Sequence, residues 1–335
     1  MTTFAEHTTL RVGGPIDEWV DATSTSDLID AVEDADRSAT PLLLLGGGSN
    51  VVAPDTGLRG RVVHIATKGI DAVEPGVLRI AAGEVWDDVV NECVERGWAG
   101  IEALAGIPGL SGATPIQNVG AYGQDVSQVL TSLRVLERAS GQIIVMTADQ
   151  CSFGYRSSAL KTDLHARVVL EVTLRLRLST TNVVTYAELA RVLGIQVGES
   201  APLVAIRDAV LDLRRSKGMV LDKHDHDTWS AGSFFTNPIV DAATAARFPS
   251  ECPRYPAIDG VKLSAAWLIE AAGISRGFRI SRDARAAVSN KHSLALVNLG
   301  GATSDEVMDL ARTVQNNVRT MHGVGLDIEP VVLTA

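Results

Sequence analysis

From Gly106 to Gly123 the chain reads GIPGLSGATPIQNVGAYG, with five glycines, two prolines and no charged residue. A helix does not persist through that density of proline and glycine. A central strand does not accept Pro108 and Pro115 without losing ladder hydrogen bonds. The segment is therefore expected to be a long ordered loop, and long loops inside compact domains are usually functional. Its amide side chains, its tyrosine and its dense backbone polar groups suit a flat polar ring system held through main-chain contacts. An ordinary Ω-loop has the same composition without a ligand.

A second glycine cluster lies upstream. The apolar run Pro41–Leu45 feeds directly into Gly46, Gly47, Gly48, Ser49 and Asn50. A short apolar run ending in glycines reads as a buried strand entering a tight loop. Such a loop lets the backbone approach an anion closely and aim several N–H groups at it, as a pyrophosphate requires. It is not a G-x-G-x-x-G fingerprint, because Val51 stands where the last glycine belongs and no helical pattern follows. Taken alone, this run is compatible with a pyrophosphate loop or a plain tight turn.

The remaining composition narrows the classes. With 335 residues, 46% of them hydrophobic, the chain has material for two or three domains. A formal net charge of −10 disfavours nucleic acid, which is held mainly by Lys and Arg. An anionic substrate would need a locally basic site against that global field. The three cysteines, Cys93, Cys151 and Cys252, are too far apart for a disulfide framework or a zinc knuckle, and Cys93 reads as a small core residue. The opening MTTFAEHTTLRVGG has no basic n-region before an apolar run, and no apolar stretch approaches the ~20 residues of a membrane helix. A cytoplasmic enzyme, monomeric or weakly oligomeric, with no membrane or nucleic-acid partner, is expected.

Periodicity places further elements. Arg61–Ala66 and Val77–Ala81 read as strands, and Glu84–Arg96 as a helix with Val85, Trp86, Val89, Val90 and Val94 apolar. Arg167–Leu178 alternates apolar and polar residues, the period of a half-buried strand. Ser200 reads as the cap of a helix with Pro202 in its first turn and Lys217–Gly218 at its end. Thr303 and Glu306 form a capping-box pattern for a long helix ending near Gly323, and Ile328–Leu333 reads as a last strand. The stretch Met219–Thr228 reads as a loop and a domain boundary. Its His224-Asp225-His226-Asp227 run suits solvent better than a metal, and no metal site is expected.

Together these runs resemble a known family. GGGSN at 46–50, then Glu102-x-Leu104-x-Gly106-Ile107-Pro108-Gly109, then Gln117-Asn118-x-Gly120-Ala121-Tyr122-Gly123 is similar to the UDP-N-acetylenolpyruvoylglucosamine reductases, within the vanillyl-alcohol-oxidase type of flavoprotein. Downstream, Phe153–Ser158 resembles the family's Y-R-x-S segment, Ala231–Pro238 its G-S-F-F-x-N-P segment, and Leu326–Glu329 its final L-x-x-E. The resemblance implies an α+β fold: a two-part FAD-binding domain, 1–65 with a returning strand 325–335 and 66–217, then a substrate-binding α+β domain, 218–322. FAD would be held noncovalently, since neither glycine-rich loop offers a His or Cys. Its contacts would come from Gly46, Gly47, Gly48, Ser49, Asn50, Gly109, Ser111, Gly112, Ala113, Gln117, Asn118, Gly120, Ala121, Tyr122 and Gly123. The family's catalytic Arg, Ser and Glu fall on Arg156, Ser233 and Glu329. Substrate contacts fall on Tyr155, Tyr186, Lys217, Asn237, Lys262 and His292, with Tyr186 in the position of a tyrosine that swings over the substrate. Two departures stand out: Met219–Trp229 is an insertion between Lys217 and Ser233, and Glu329 is followed by Pro330.

The implied reaction is NADPH-dependent reduction of UDP-N-acetylglucosamine enolpyruvate to UDP-N-acetylmuramate, a step of peptidoglycan precursor synthesis. Hydride addition to an enol ether conjugated with a carboxylate drives negative charge onto that carboxylate, so a fixed cation and hydrogen-bond donors must already be in place. Arg156 stays charged and can grip a carboxylate bidentately. Glu329 could donate only when protonated, and burial near acidic groups would raise its pKa. Ser233 is the candidate proton donor to the adjacent carbon. A lone carboxylate in an apolar terminal strand is costly as a structural residue, which favours a role for Glu329. Two rival readings remain at this level: an FAD-linked oxidase of a sugar or hydroxy acid, and a nonenzymatic flavin- or nucleotide-sugar-binding module.

Overall fold

The computed structural model describes residues 2–334. Its chain separates into two compact units, each assembled from distant stretches. One holds 17–47 and 59–216; the other holds the residues up to 16, 48–58 and those from 217 onward. Residues 1–65, expected with the returning strand 325–335 as one part of a two-part FAD-binding domain, fall in both units.

The first unit is built on a five-stranded sheet in the order Gln142–Thr147, Leu130–Glu137, Arg167–Arg175, Val77–Ala81, Ile70–Glu74, with antiparallel neighbours. The alternation read from the sequence buries Val168, Leu170, Val172 and Leu174. The strand expected over Arg167–Leu178 breaks at Leu176. There the amide donates to the Gly76 carbonyl at 2.7 Å, and Arg177–Leu178 pairs instead with Trp98–Ala99. A second sheet runs Ile16–Ala22, Leu58–Ile65, Leu42–Leu45, the last two parallel. The helix Thr25–Ser38 sets Leu28 and Val32 against Val63, Leu136, Val168 and Leu170. Each fully buried Leu or Val contributes about 1.5–3 kcal/mol.

Two further helices pack in this unit. Trp86–Glu95 buries Trp86, Val89, Val90 and Cys93. Cys93 is a core residue whose thiol burial pushes up to about 12. Leu203–Ser216 buries Leu203, Ile206, Val210, Leu211 and Leu213. Ser200 does not cap this helix. Ser200–Pro202 instead forms a short strand antiparallel to Thr181–Val183, and the Leu203 amide donates to the Thr180 carbonyl at 3.0 Å. A local capping pattern has lost to a non-local ladder that the sequence does not advertise.

The second unit packs around the helix Ser304–His322. Its capping box forms as expected: the Thr303 hydroxyl accepts from the Glu306 amide, Glu306 accepts from the Thr303 amide, both at 3.1 Å, and Gly323 ends the helix at φ 69°. Val307, Leu310, Ala311, Val314 and Val318 join Phe234, Phe235, Leu263, Leu268, Val288 and Leu296 in one core. The last strand is shorter than Ile328–Leu333 and divided. Ile328 bridges Phe235, Pro330 interrupts, and Val331–Val332 runs parallel to Val51–Val52. Proline has no N–H, so a continuous ladder cannot cross position 330.

The 219–229 loop is anchored rather than trailing in solvent. Asp225 pairs with Lys291, Asp227 accepts from the Asn290 amide at 3.0 Å, and the Thr228 hydroxyl closes the turn on Asp222 and Asp225. No group of three or more metal-ligating side chains occurs among the described residues. Among them, too, no helix is long and apolar enough to cross a membrane.

Candidate active site

Within the first unit the two glycine-rich runs meet. A Cβ on Gly47 would stand 3.0 Å from the Gly109 Cα, so the backbones approach as only glycine allows. On the other side of that loop, in the second unit, Gly48 has φ 59°, and a Cβ there would strike the His7 carbonyl at 2.1 Å. Ser49 and Asn50 are partly buried, and the Asn50 carbonyl accepts from the Val331 amide at 2.9 Å.

The long loop is held by its backbone amides, two of which donate to the Ala82–Glu84 segment. The Ser111 amide donates to the Glu84 carbonyl at 2.8 Å, the Gly112 amide to Ala82 at 2.9 Å, and the Ala113 amide to Leu110 at 3.0 Å. These N–H groups are spent on the protein. What Ser111, Gly112 and Ala113 offer a ligand is shape, and Gly112 is glycine because a Cβ would lie 2.5 Å from the Ala82 Cβ. Asn118 sits at φ 46°, its side chain accepting from the Ser127 amide at 3.1 Å and donating to the Gly154 carbonyl at 3.3 Å. Gln117, Gly120, Ala121 and Tyr122 are partly buried, and Gly123 is exposed.

Arg156 stands at the tip of a tight turn in which Gly154 and Ser157 exchange backbone hydrogen bonds. Its φ is 52°, a conformation that costs a non-glycine residue free energy and clusters at functional sites. The guanidinium donates to the Asn118 carbonyl at 3.4 Å and the Gly120 carbonyl at 2.9 Å. Ser158 adds a bond from its hydroxyl to the Ile116 carbonyl. The Y-R-x-S segment is thus locked onto the glycine-rich loop. Tyr155, exposed, lies with its ring 5.9 Å from the guanidinium carbon.

Tyr122 and Tyr186 meet edge to face, with ring centroids 5.5 Å apart. Burial pushes the Tyr122 phenol up to about 12, so it stays protonated and able to donate. Gly123 leaves room for the neighbouring segment, since a Cβ would lie 2.4 Å from the Thr185 hydroxyl. Arg214 was not among the residues expected at the site; burial, with the neighbouring charge of Arg156, pushes its guanidinium pKa down. The available signal was position: Arg214 continues the stripe of Leu203, Ile206 and Val210 along the buried face of its helix. Glu102, likewise assigned no role from sequence, is 1% exposed and accepts three hydrogen bonds.

The second unit gathers the other candidates. The Glu329 amide donates to the Phe234 carbonyl at 3.0 Å, and the Thr236 amide to Asp327 at 3.0 Å. Ser233 precedes Phe234 and follows Gly232, which turns at φ 73°. Ser233 and Glu329 are both partly buried and stand on adjacent, hydrogen-bonded segments. Asn237 accepts from the Ala265 amide at 2.8 Å, and Lys262 pairs in register with Ile239. The His292 turn is joined to the same segment, because the Phe234 amide donates to the Leu294 carbonyl at 2.7 Å. Lys217 precedes Gly218, where a Cβ would lie 3.4 Å from Lys291, the residue before His292.

Residues 223–333 match a family model described as the UDP-N-acetylenolpyruvoylglucosamine reductase C-terminal domain, and residues 17–147 one described as an FAD binding domain. The UDP-N-acetylenolpyruvoylglucosamine reductase of Cutibacterium acnes is 49% identical over 329 residues, 96% of this chain and 87% of the relative. That of Saccharopolyspora erythraea is also 49% identical, over 98% of this chain and 94% of its own length. That of Thermobifida fusca is 47% identical over 98% and 96%. The crystal structure of the reductase from Thermus caldophilus superposes with a TM-score of 0.69 at 24% identity, covering 99% of this chain and 98% of that one, which shows a shared fold.

Proposed function

The chain belongs to the family of UDP-N-acetylenolpyruvoylglucosamine reductases, and on that premise we propose that it reduces UDP-N-acetylglucosamine enolpyruvate to UDP-N-acetylmuramate, with NADPH as the electron source. The observation that carries this reading is the locked Arg156 turn. A strained arginine, braced on the backbone of an uncharged glycine-rich loop, supplies a fixed cation beside a surface suited to a flat ring. A flexible surface arginine would have no need of strain.

Bound noncovalently, FAD would supply the hydride chemistry, with NADPH as the electron source. The glycine-rich loops 46–50 and 109–123 would hold it. Arg156 holds the substrate carboxylate and opposes the charge that develops there. Ser233 holds the proton for the neighbouring carbon. Glu329 in its protonated form donates to the same region, and the Phe234 carbonyl fixes its backbone. Lys217, Asn237, Lys262, His292 and Tyr155 bind the nucleotide sugar, and Tyr186 closes over it.

Product analysis tests the reading. Purified protein given NADPH and the enolpyruvyl substrate is expected to consume both and yield a product heavier by a pair of hydrogens. NADPH-independent turnover of sugar alcohols with oxygen would favour the oxidase reading instead.

A further inference from the structure

Glu102 lies in a turn between Ile101 and Ala103, almost wholly removed from solvent. A buried carboxyl is costly unless every lone pair finds a donor. Here the donors come from three places in the first unit. The Gly100 amide donates to Oε2 at 2.7 Å, Gln124 Nε2 donates to Oε1 at 2.7 Å, and Asn182 Nδ2 donates to the same Oε1. Gln124 is fixed in turn, since its Oε1 accepts from the Ala103 amide at 2.8 Å. Glu102 therefore clasps two segments. Gln124 directly follows the Tyr122–Gly123 turn, and Asn182 is the middle residue of the Thr181–Val183 strand that leads to Thr185 and Tyr186.

Those two segments touch again at their far ends, through the Tyr122–Tyr186 edge-to-face pair and the close approach of Gly123 to Thr185. Between clasp and contact lies a cavity of about 290 Å³ lined by Glu102, Gln124, Asn182, Tyr122 and Thr185. The 182–186 segment is thus tied at its base and packed at its tip, with open space behind it. We propose that Glu102 is a positioning residue: by bonding Gln124 and Asn182 together it sets where the Tyr186 ring stands against the Tyr122 turn, and so how tightly Tyr186 closes on the nucleotide sugar. This rests on the role given to Tyr186 above.

Replacing Glu102 risks the fold, so the test breaks only the outer half of the clasp. Asn182 is partly exposed, and Asn182→Ala removes its bond to Glu102, together with those its Oδ1 accepts from Arg177 and the Val183 amide, while leaving Gln124 in place. Binding of UDP-N-acetylmuramate is measured by calorimetry in wild type, Asn182→Ala, Tyr186→Phe and the double variant, with amide exchange followed over 183–189. Loosening of the 182–186 segment predicts binding weakened about 3- to 10-fold in Asn182→Ala and faster exchange over 183–189. In the Tyr186→Phe background the same change should matter less than about 2-fold, because the hydroxyl it places is already gone. Equal weakening in both backgrounds, or none in either, overturns the positioning role while leaving the proposed reaction intact. A wild type that does not bind the product at all sinks the underlying reading, and this one with it.

Discussion

The Glu329 amide donates to the Phe234 carbonyl at 3.0 Å, which seats the last acidic residue of the chain beside the turn that carries Ser233. The two are 96 positions apart (329 − 233) and meet through one bridge, Phe235 to Ile328, and the hydrogen bonds around it. If Ser233 is the proton donor, it acts only after the flavin has been reduced. Ser233→Ala should leave flavin bleaching by NADPH near the wild-type rate. It should slow recovery of colour by the enolpyruvyl substrate about 10²–10⁴-fold, and Ser233→Cys should regain part of the loss. Stopped-flow traces of each half-reaction decide it, and recovery at the wild-type rate in Ser233→Ala would move the proton to Glu329 or water.

The absence of His and Cys from 46–50 and 106–123 predicts a noncovalent flavin. Acid precipitation should send all the yellow colour into the supernatant, and flavin retained in the pellet would refute this.

Tyr186 is 38% exposed and packs edge-on against Tyr122, a posture suited to closing over a bound ligand. Tyr186→Phe should raise the KM for the sugar nucleotide while leaving flavin reduction by NADPH unchanged. Equal damage to both half-reactions would point to a contact with the flavin.

Gly112 tests the packing of the long loop against its neighbour. A methyl group there must displace Ala82, so Gly112→Ala should cost about 1–3 kcal/mol of stability by overpacking and lower the flavin content of the purified protein. Thermal unfolding with and without added FAD measures both, and an unchanged Tm would show that the segment has room to relax.

What the sequence made legible is what local physics controls. The glycine loops, the Thr303 capping box with Gly323, and the strand Val77–Ala81 depend on residues within a few positions of one another. What it hid depends on partners far along the chain. Ser200 carries a good capping side chain, yet the ladder to Thr181–Val183 took it. The terminal strand looked continuous in apolar pattern, but Pro330 divides it between Phe235 and Val51–Val52. Arg156 was legible as a motif residue, though its left-handed backbone and its grip on Asn118 and Gly120 were not. Glu102 was visible only as a motif letter, because the Gln124 and Asn182 that satisfy it lie 22 and 80 positions away.

The central claim is that electrons pass from NADPH through the flavin to the enolpyruvyl sugar nucleotide. Anaerobic titration tests it most directly. The yellow protein is bleached with a stoichiometric amount of NADPH, and UDP-N-acetylglucosamine enolpyruvate is then added without oxygen. The account predicts that colour returns in proportion to the substrate added, with an equal amount of UDP-N-acetylmuramate formed. Protein that stays bleached until air is admitted would contradict it.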